Sequence, residues 1–138
     1  MSEETTGSQF PIQSLLSARL LLSPQLAEGR VYFLSDMSGV ISLYAMDQDG
    51  SMPELMLPAG LALQNPHIMA GHNYFALPKL HKILVMIDEN GNENYQPCFV
   101  PLHGGIPKPI FGDKYKNEKL ACVHCDVKTN IAYFYRDD

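Results

Sequence analysis

The sequence predicts an all-β chain, a partial β-propeller of about two and a half blades, each blade an antiparallel four-stranded meander. Three observations predict it: short β-branched and aromatic runs, Asp/Gly-bearing turns between them, and the return of that pattern about forty residues later.

The first run is Val31-Tyr32-Phe33-Leu34-Ser35, closed by Asp36-Met37-Ser38-Gly39. Val40 to Met46 follows and runs into Asp47-Gln48-Asp49-Gly50, and a third apolar piece, Met52 to Leu57, stops at Pro58. Gly supplies positive φ at such turns and Asp bonds its own backbone, so the pieces read as antiparallel hairpins. The theme then recurs. Asn73 to Leu77 matches Arg30 to Leu34, Lys82 to Asp88 matches the run ending at Asp47, and Tyr95 to Leu102 takes the place of Met52 to Leu57. Glu89-Asn90-Gly91 stands where Gln48-Asp49-Gly50 stood, with Gly50 and Gly91 41 residues apart.

A looser Pro/Gly/Lys-rich passage, Gly104 to Asn117, leads to a third unit. Leu120, Cys122, His124 and Asp126 alternate with Ala121, Val123, Cys125 and Val127, a period of two that puts Cys122 and Cys125 on opposite strand faces. After the polar turn Lys128-Thr129-Asn130, Ile131 to Tyr135 repeats the Val31 to Ser35 theme, and Arg136-Asp137-Asp138 resembles the Ser35-Asp36 exit.

Ahead of the first repeat the pattern is ambiguous. Ile12, Leu15, Leu16 and Leu20 have helical spacing, whereas Ala18 to Ser23 reads as the first strand of blade one. The expected organisation is an N-terminal extension over 1–17 and a partial propeller over 18–138. Its parts are blade one at 18–60, blade two at 64–105 and the start of blade three at 118–138. Two and a half blades leave apolar faces and strand edges uncovered, and repeat architectures need three or more units or ring closure. The expectation is therefore the beginning of a longer chain, with two alternatives: copies completing a ring, or another small all-β or α+β protein in which the repeat is coincidental.

Hydrophobic residues make up 46% and charged residues 18% of the 138, a globular composition. A net charge of -5, with scattered Lys and Arg, repels phosphate backbones, so neither nucleic acid nor a membrane surface is the expected partner. Met1 to Gln9 is acidic and hydroxyl-rich, unlike a secretory signal, and three cysteines make no disulfide framework. Both point to a cytoplasmic protein with free thiols.

The sequence assigns no catalytic, cofactor-binding or metal-binding residue, and no cofactor is expected. Cys122-Val123-His124-Cys125, with Cys98 and His103 in reserve, is a single cluster where zinc wants two, so buried strand cysteines are the simpler reading. His103-Gly104-Gly105 has the form of an oxyanion-hole loop, but no G-x-S-x-G nucleophile elbow accompanies it. It sits where the first repeat has Pro58-Ala59-Gly60, and reads as an inter-blade crossover. His67, His72, His81, His103 and His124 have no metal-binding spacing. Asp47 to Gly50 lacks the remaining ligands of a calcium loop, and Asp36, Asp88 and Glu89 are explained as turn residues. Tyr32, Tyr44, Tyr74, Tyr95, Tyr133 and Tyr135 read as strand residues.

Ser23-Pro24-Gln25-Leu26-Ala27-Glu28-Gly29-Arg30-Val31-Tyr32-Phe33-Leu34-Ser35-Asp36, followed by Ile41 to Gly50, resembles the WD40-like repeat of the TolB type. That repeat reads as Ser-Pro-Asp-Gly-Lys, an apolar strand, Ser-Asp, and an apolar strand leading to Asp-x-x-Gly. Here the first turn is longer, through Gln25 to Gly29. The resemblance implies one of two settings. In prolyl oligopeptidase-like serine peptidases an amino-terminal propeller covers a C-terminal α/β-hydrolase domain and filters the peptide substrate that reaches its Ser-Asp-His triad. In non-catalytic TolB-like propellers the blades bind a protein partner. No triad residue of that family maps onto this sequence.

Overall fold

A computed structural model describes residues 22–88 and 93–136. The ambiguous stretch ahead of Leu22, the extension over 1–17, the Glu89-Asn90-Gly91 turn and the Asp137-Asp138 exit lie outside the described residues. The chain divides into two compact units, 1–62 and 63–138. Among the described residues it is all-β, built from two four-stranded antiparallel meanders and a two-stranded hairpin, the all-β meander class that the sequence predicts.

The first unit holds one sheet: β1 (Leu22–Ala27), β2 (Arg30–Ser35), β3 (Ser42–Asp47) and β4 (Glu54–Leu55), hydrogen-bonded in that order. The segment expected as the first turn is in fact strand. β1 runs to Ala27, which pairs with Arg30. Only Glu28 and Gly29 make the turn, at φ 50° and 77°, the doubly left-handed geometry that matches strand twist. Pro24 does not break the strand because it sits at a bulge, between the Leu22↔Leu34 and Gln25↔Tyr32 pairs, where no ladder bond is required. β2 and β3 form an unbroken register from Arg30↔Asp47 to Ser35↔Ser42. The Phe33 and Tyr44 rings stack across it at 5.9 Å, beside Met46 and Val31. The third apolar piece is shorter than Met52 to Leu57: Glu54 and Leu55 alone join the ladder, after Pro53, while Met56 and Leu57 are buried beyond it.

The second unit holds β5 (Tyr74–Leu77), β6 (Lys82–Ile87), β7 (Gln96–Pro101) and β8 (Lys108–Pro109), then the hairpin β9 (Leu120–Asp126) and β10 (Ile131–Arg136). A 3-10 turn at Pro78–Leu80 joins β5 to β6. Sheet order corrects the repeat register. β5 is an edge strand bonded only to β6, so by place in the sheet β6 corresponds to β2 and β7 to β3. First strands then begin 52 residues apart, at Leu22 and Tyr74, and third strands 54 apart, at Ser42 and Gln96. The cadence is nearer fifty than forty, and the outermost strand of the second sheet, β8, is a Lys-Pro pair whose lack of an apolar signature hides it in the sequence.

The hairpin β9–β10 is docked on the second sheet. Leu77, Leu84 and Met86 form one buried cluster with Leu120, Cys122 and Cys125. Backbone bonds tie β9 down: Leu120 N donates to the Tyr95 carbonyl at 3.1 Å and His72 N to the Cys122 carbonyl at 2.9 Å. The Gln96 side-chain amide, itself buried, donates to the Tyr115 and Glu118 carbonyls and holds the loop between β8 and β9.

Candidate functional site

The pairing of β10 with β9 overturns one expectation. Tyr133 pairs with His124 but Phe134 pairs with Cys122, so Val123 is an extra, unpaired residue. A bulge of one residue shifts side-chain parity for everything beyond it. Cys122 and Cys125, expected on opposite faces, therefore share one face, opposite Phe134 and Ala132, and are 1% and 3% exposed in the same cluster. Burial pushes the Cys122 thiol up to about 11, with Cys125 adding to the rise and the His124 backbone opposing it. Burial also raises Cys125, helped by Asp126. The thiolate is the nucleophile and the metal ligand, so these thiols are poor at either task near neutral pH.

The other members of the candidate zinc set lie elsewhere. Cys98 pairs with Val85, on the face of the second sheet away from Leu84 and Phe99, and its thiol donates to the Gln96 carbonyl at 3.7 Å. His103 is exposed in the turn between β7 and β8. That placement also corrects the crossover reading of His103-Gly104-Gly105, a turn within the second sheet, where Gly104 N donates to the Pro101 carbonyl. Among the described residues no three His, Cys, Asp or Glu side chains gather as a metal site would require.

Asp47, of the calcium-like stretch, accepts from Arg30 at 3.0 Å, and Arg30 also pairs with Glu54. Of the six tyrosines singled out, all lie in strands except Tyr95, which immediately precedes β7. Two of the histidines enter an aromatic row that the sequence reading missed. His72 lies 5.1 Å from the Phe75 ring, and His124 stacks on Tyr133 at 6.4 Å while meeting the edge of Phe75. His67 and His81 lie exposed, His81 in the left-handed region at the end of the 3-10 turn.

Among the described residues, a groove of about 710 Å³ on the second unit has the shape of a binding site. Phe99 and Pro101 of β7, Pro109 of β8, and Ile106 and Ile110 beside it form its apolar lining. Ile106 is 74% exposed. The cations Lys82 and Lys108 join the lining, with Lys82 Nζ 4.8 Å from the Phe99 ring centroid, and no lining residue is acidic. An apolar trough with a few charged groups of one sign suits an apolar ligand bearing a carboxylate. Ile106 lies 24 positions from Lys82, and the groove forms only when β6, β7 and β8 pair, which is why pattern reading missed it.

No family model matches the chain, and no curated protein matches it. Among the described residues no helix is long and apolar enough to cross a membrane.

Proposed function

We propose that the chain is a propeller segment of a cytoplasmic prolyl oligopeptidase-like serine peptidase. Its blades screen the peptides that reach a Ser-Asp-His triad on an α/β-hydrolase domain outside these residues, and bond cleavage uses no side chain of this chain. The observation that supports the reading is the first sheet. There the stretch resembling the TolB-type repeat forms strand, turn and strand in the repeat's order, with Arg30–Ser35, the turn at Asp36 to Gly39, and Ser42–Asp47. Rigid small sheets suit the task. Their buried central strands resist deformation, so an opening bounded by them selects substrates by size without chemistry of its own.

The test is made on the full-length gene product, treated with a serine-directed fluorophosphonate and offered short peptides and folded proteins. A labelled serine, with cleavage of the short peptides only, is expected; no label and no cleavage overturns the reading. The apolar groove, with Ile106 projecting at its rim, favours a second reading, a TolB-like scaffold without catalysis. Stoichiometric binding of a partner by an unlabelled, inactive full-length product would decide for it.

A further inference from the structure

Lys82, Phe99 and Lys108 lie on one face of the second sheet. Phe99 pairs with Leu84 of β6 and with Lys108 of β8, and Lys82 stands two positions before Leu84. Cross-strand partners project to the same side of a sheet, as do residues two apart along a strand. Phe99 therefore has a lysine on the strand to either side of it, and Lys82 Nζ lies 4.8 Å from its ring centroid.

The two ends of this face differ. Toward Leu84 and Met86 it is closed by Leu120 and Cys122 of the hairpin. Toward Lys82 it opens into the groove of about 710 Å³, whose lining comes from β6, β7, β8 and the turns beside them. The second sheet builds this wall by itself, with no residue of β9 or β10.

The chemistry of the lining narrows the occupant. Phe99, Pro101, Ile106 and Pro109 are apolar, and Ile106 is 74% exposed. A ligand that covers such side chains gains the free energy of removing them from water. Among the described residues neither Lys82 nor Lys108 forms an ion pair, although the chain as a whole carries a net charge of -5. Two cations without an acid beside them attract an anion. A wholly apolar surface over the groove would strip water from both ammonium groups and return no partner. An inorganic anion would pair with them and leave the apolar wall wet. A molecule with an apolar tail and a terminal carboxylate answers both demands, and the volume falls in the range of small-ligand sites.

We propose that the groove binds an alkyl monocarboxylate of medium chain length, its carboxylate at Lys82 and Lys108 and its tail against Phe99, Ile106 and Pro109. Binding of this kind requires neither a hydrolase domain nor any strand beyond the described residues.

Calorimetry of the full-length gene product with decanoate tests it, and saturable binding at a single site is expected. Octanoate, two methylenes shorter, is expected to bind about tenfold more weakly, because each buried methylene adds to the burial free energy. Decanol keeps the tail without the charge and is expected to bind about fivefold more weakly than decanoate. Lys82→Gln together with Lys108→Gln is expected to remove most of that preference, and Ile106→Ser to weaken both ligands about tenfold. All three side chains are exposed, so melting temperatures close to the parent's are expected alongside. Decanoate carrying a photoreactive diazirine at its chain end is expected to label residues 99–110. No saturable binding, equal affinity for decanol and decanoate, or a preference that survives the lysine changes overturns the proposal. So does tighter binding of a short peptide ending in two leucines, which would make a chain end the occupant. Fluorophosphonate labelling of the same product reports on the peptidase reading separately, so either can fail alone.

Discussion

β2 and β10 occupy the same place in their sheets and share a theme, Val-Tyr-Phe in one and Ala-Tyr-Phe in the other, yet their burial differs completely. Phe33 in β2 is fully buried, as are its neighbours Tyr32 and Leu34; in β10 Tyr133 is 53% exposed and Phe134 only partly covered. The residue types dictate a strand in both cases, because β-branched and aromatic side chains suit a pleated surface. Burial is dictated by the neighbouring strand. β2 lies between β1 and β3, whereas among the described residues β10 pairs with β9 alone.

The largest effect follows from that contrast. Phe33→Ala removes a ring stacked on Tyr44 in a closed core and is expected to cost about 3–5 kcal/mol. Phe134→Ala is expected to cost about 1–2 kcal/mol, because its site already meets solvent. Urea titrations of both variants check this, and equal losses would mean that β10 is covered in solution.

Two glycines with the same backbone twist sharpen the comparison between units. Gly29 and Gly71 have φ of 77° and 79°, but a Cβ on Gly29 meets open space, whereas one on Gly71 would lie 2.4 Å from the Cys122 carbonyl oxygen. Gly29→Ala is expected to cost about 1 kcal/mol of backbone strain. Gly71→Ala adds a backbone clash and is expected to cost about 2–3 kcal/mol, with faster exchange of the His72 amide that bonds Cys122. Similar melting temperatures for the two variants would refute the close approach.

The thiols give the second unit an alkaline weakness that the first, without cysteine, does not share. A thiol raised in the folded state favours folding fully below its unfolded value, and that stability is lost as pH rises through the folded value. For Cys122 the window runs from about 9 to about 11, and the loss is on the order of 2 kcal/mol. Cys122→Ala is expected to flatten the alkaline slope of stability relative to the parent chain. An unchanged slope would place the thiol in water.

Much of the architecture is visible in the sequence, for reasons that also mark where it stops being visible. Val31 to Ser35, Lys82 to Ile87 and Ile131 to Tyr135 announce themselves by composition, so strand existence is legible. Their places in the sheets are not. Each run resembles every other, and the ladder that distinguishes edge strand β5 from interior strand β2 is non-local. Pro24 reads as a breaker unless the bulge that accommodates it is known, and β8 has no pattern to read. The common face of Cys122 and Cys125 depends on which residue β10 skips, information held in the partner strand. The groove is hidden for a similar reason, since its cations and apolar residues meet only through β6, β7 and β8.

The smallest expected effect tests the closing pair of the β2–β3 ladder. Ser35 and Ser42 sit directly opposite each other, 0% and 1% exposed, and neither hydroxyl finds a partner among the described residues. Opposed residues on adjacent strands have Cβ atoms close enough for two hydroxyls to bond, so a modest rotation of either would satisfy both. The two possibilities separate in a double-mutant cycle. Unbonded hydroxyls cost desolvation, so Ser35→Ala and Ser42→Ala would each be neutral or stabilising by up to about 1 kcal/mol, and additive. A mutual bond would make each single change destabilising by about 1 kcal/mol and the double change less than their sum. The additive result is expected, because both hydroxyls are buried without a hydrogen bond.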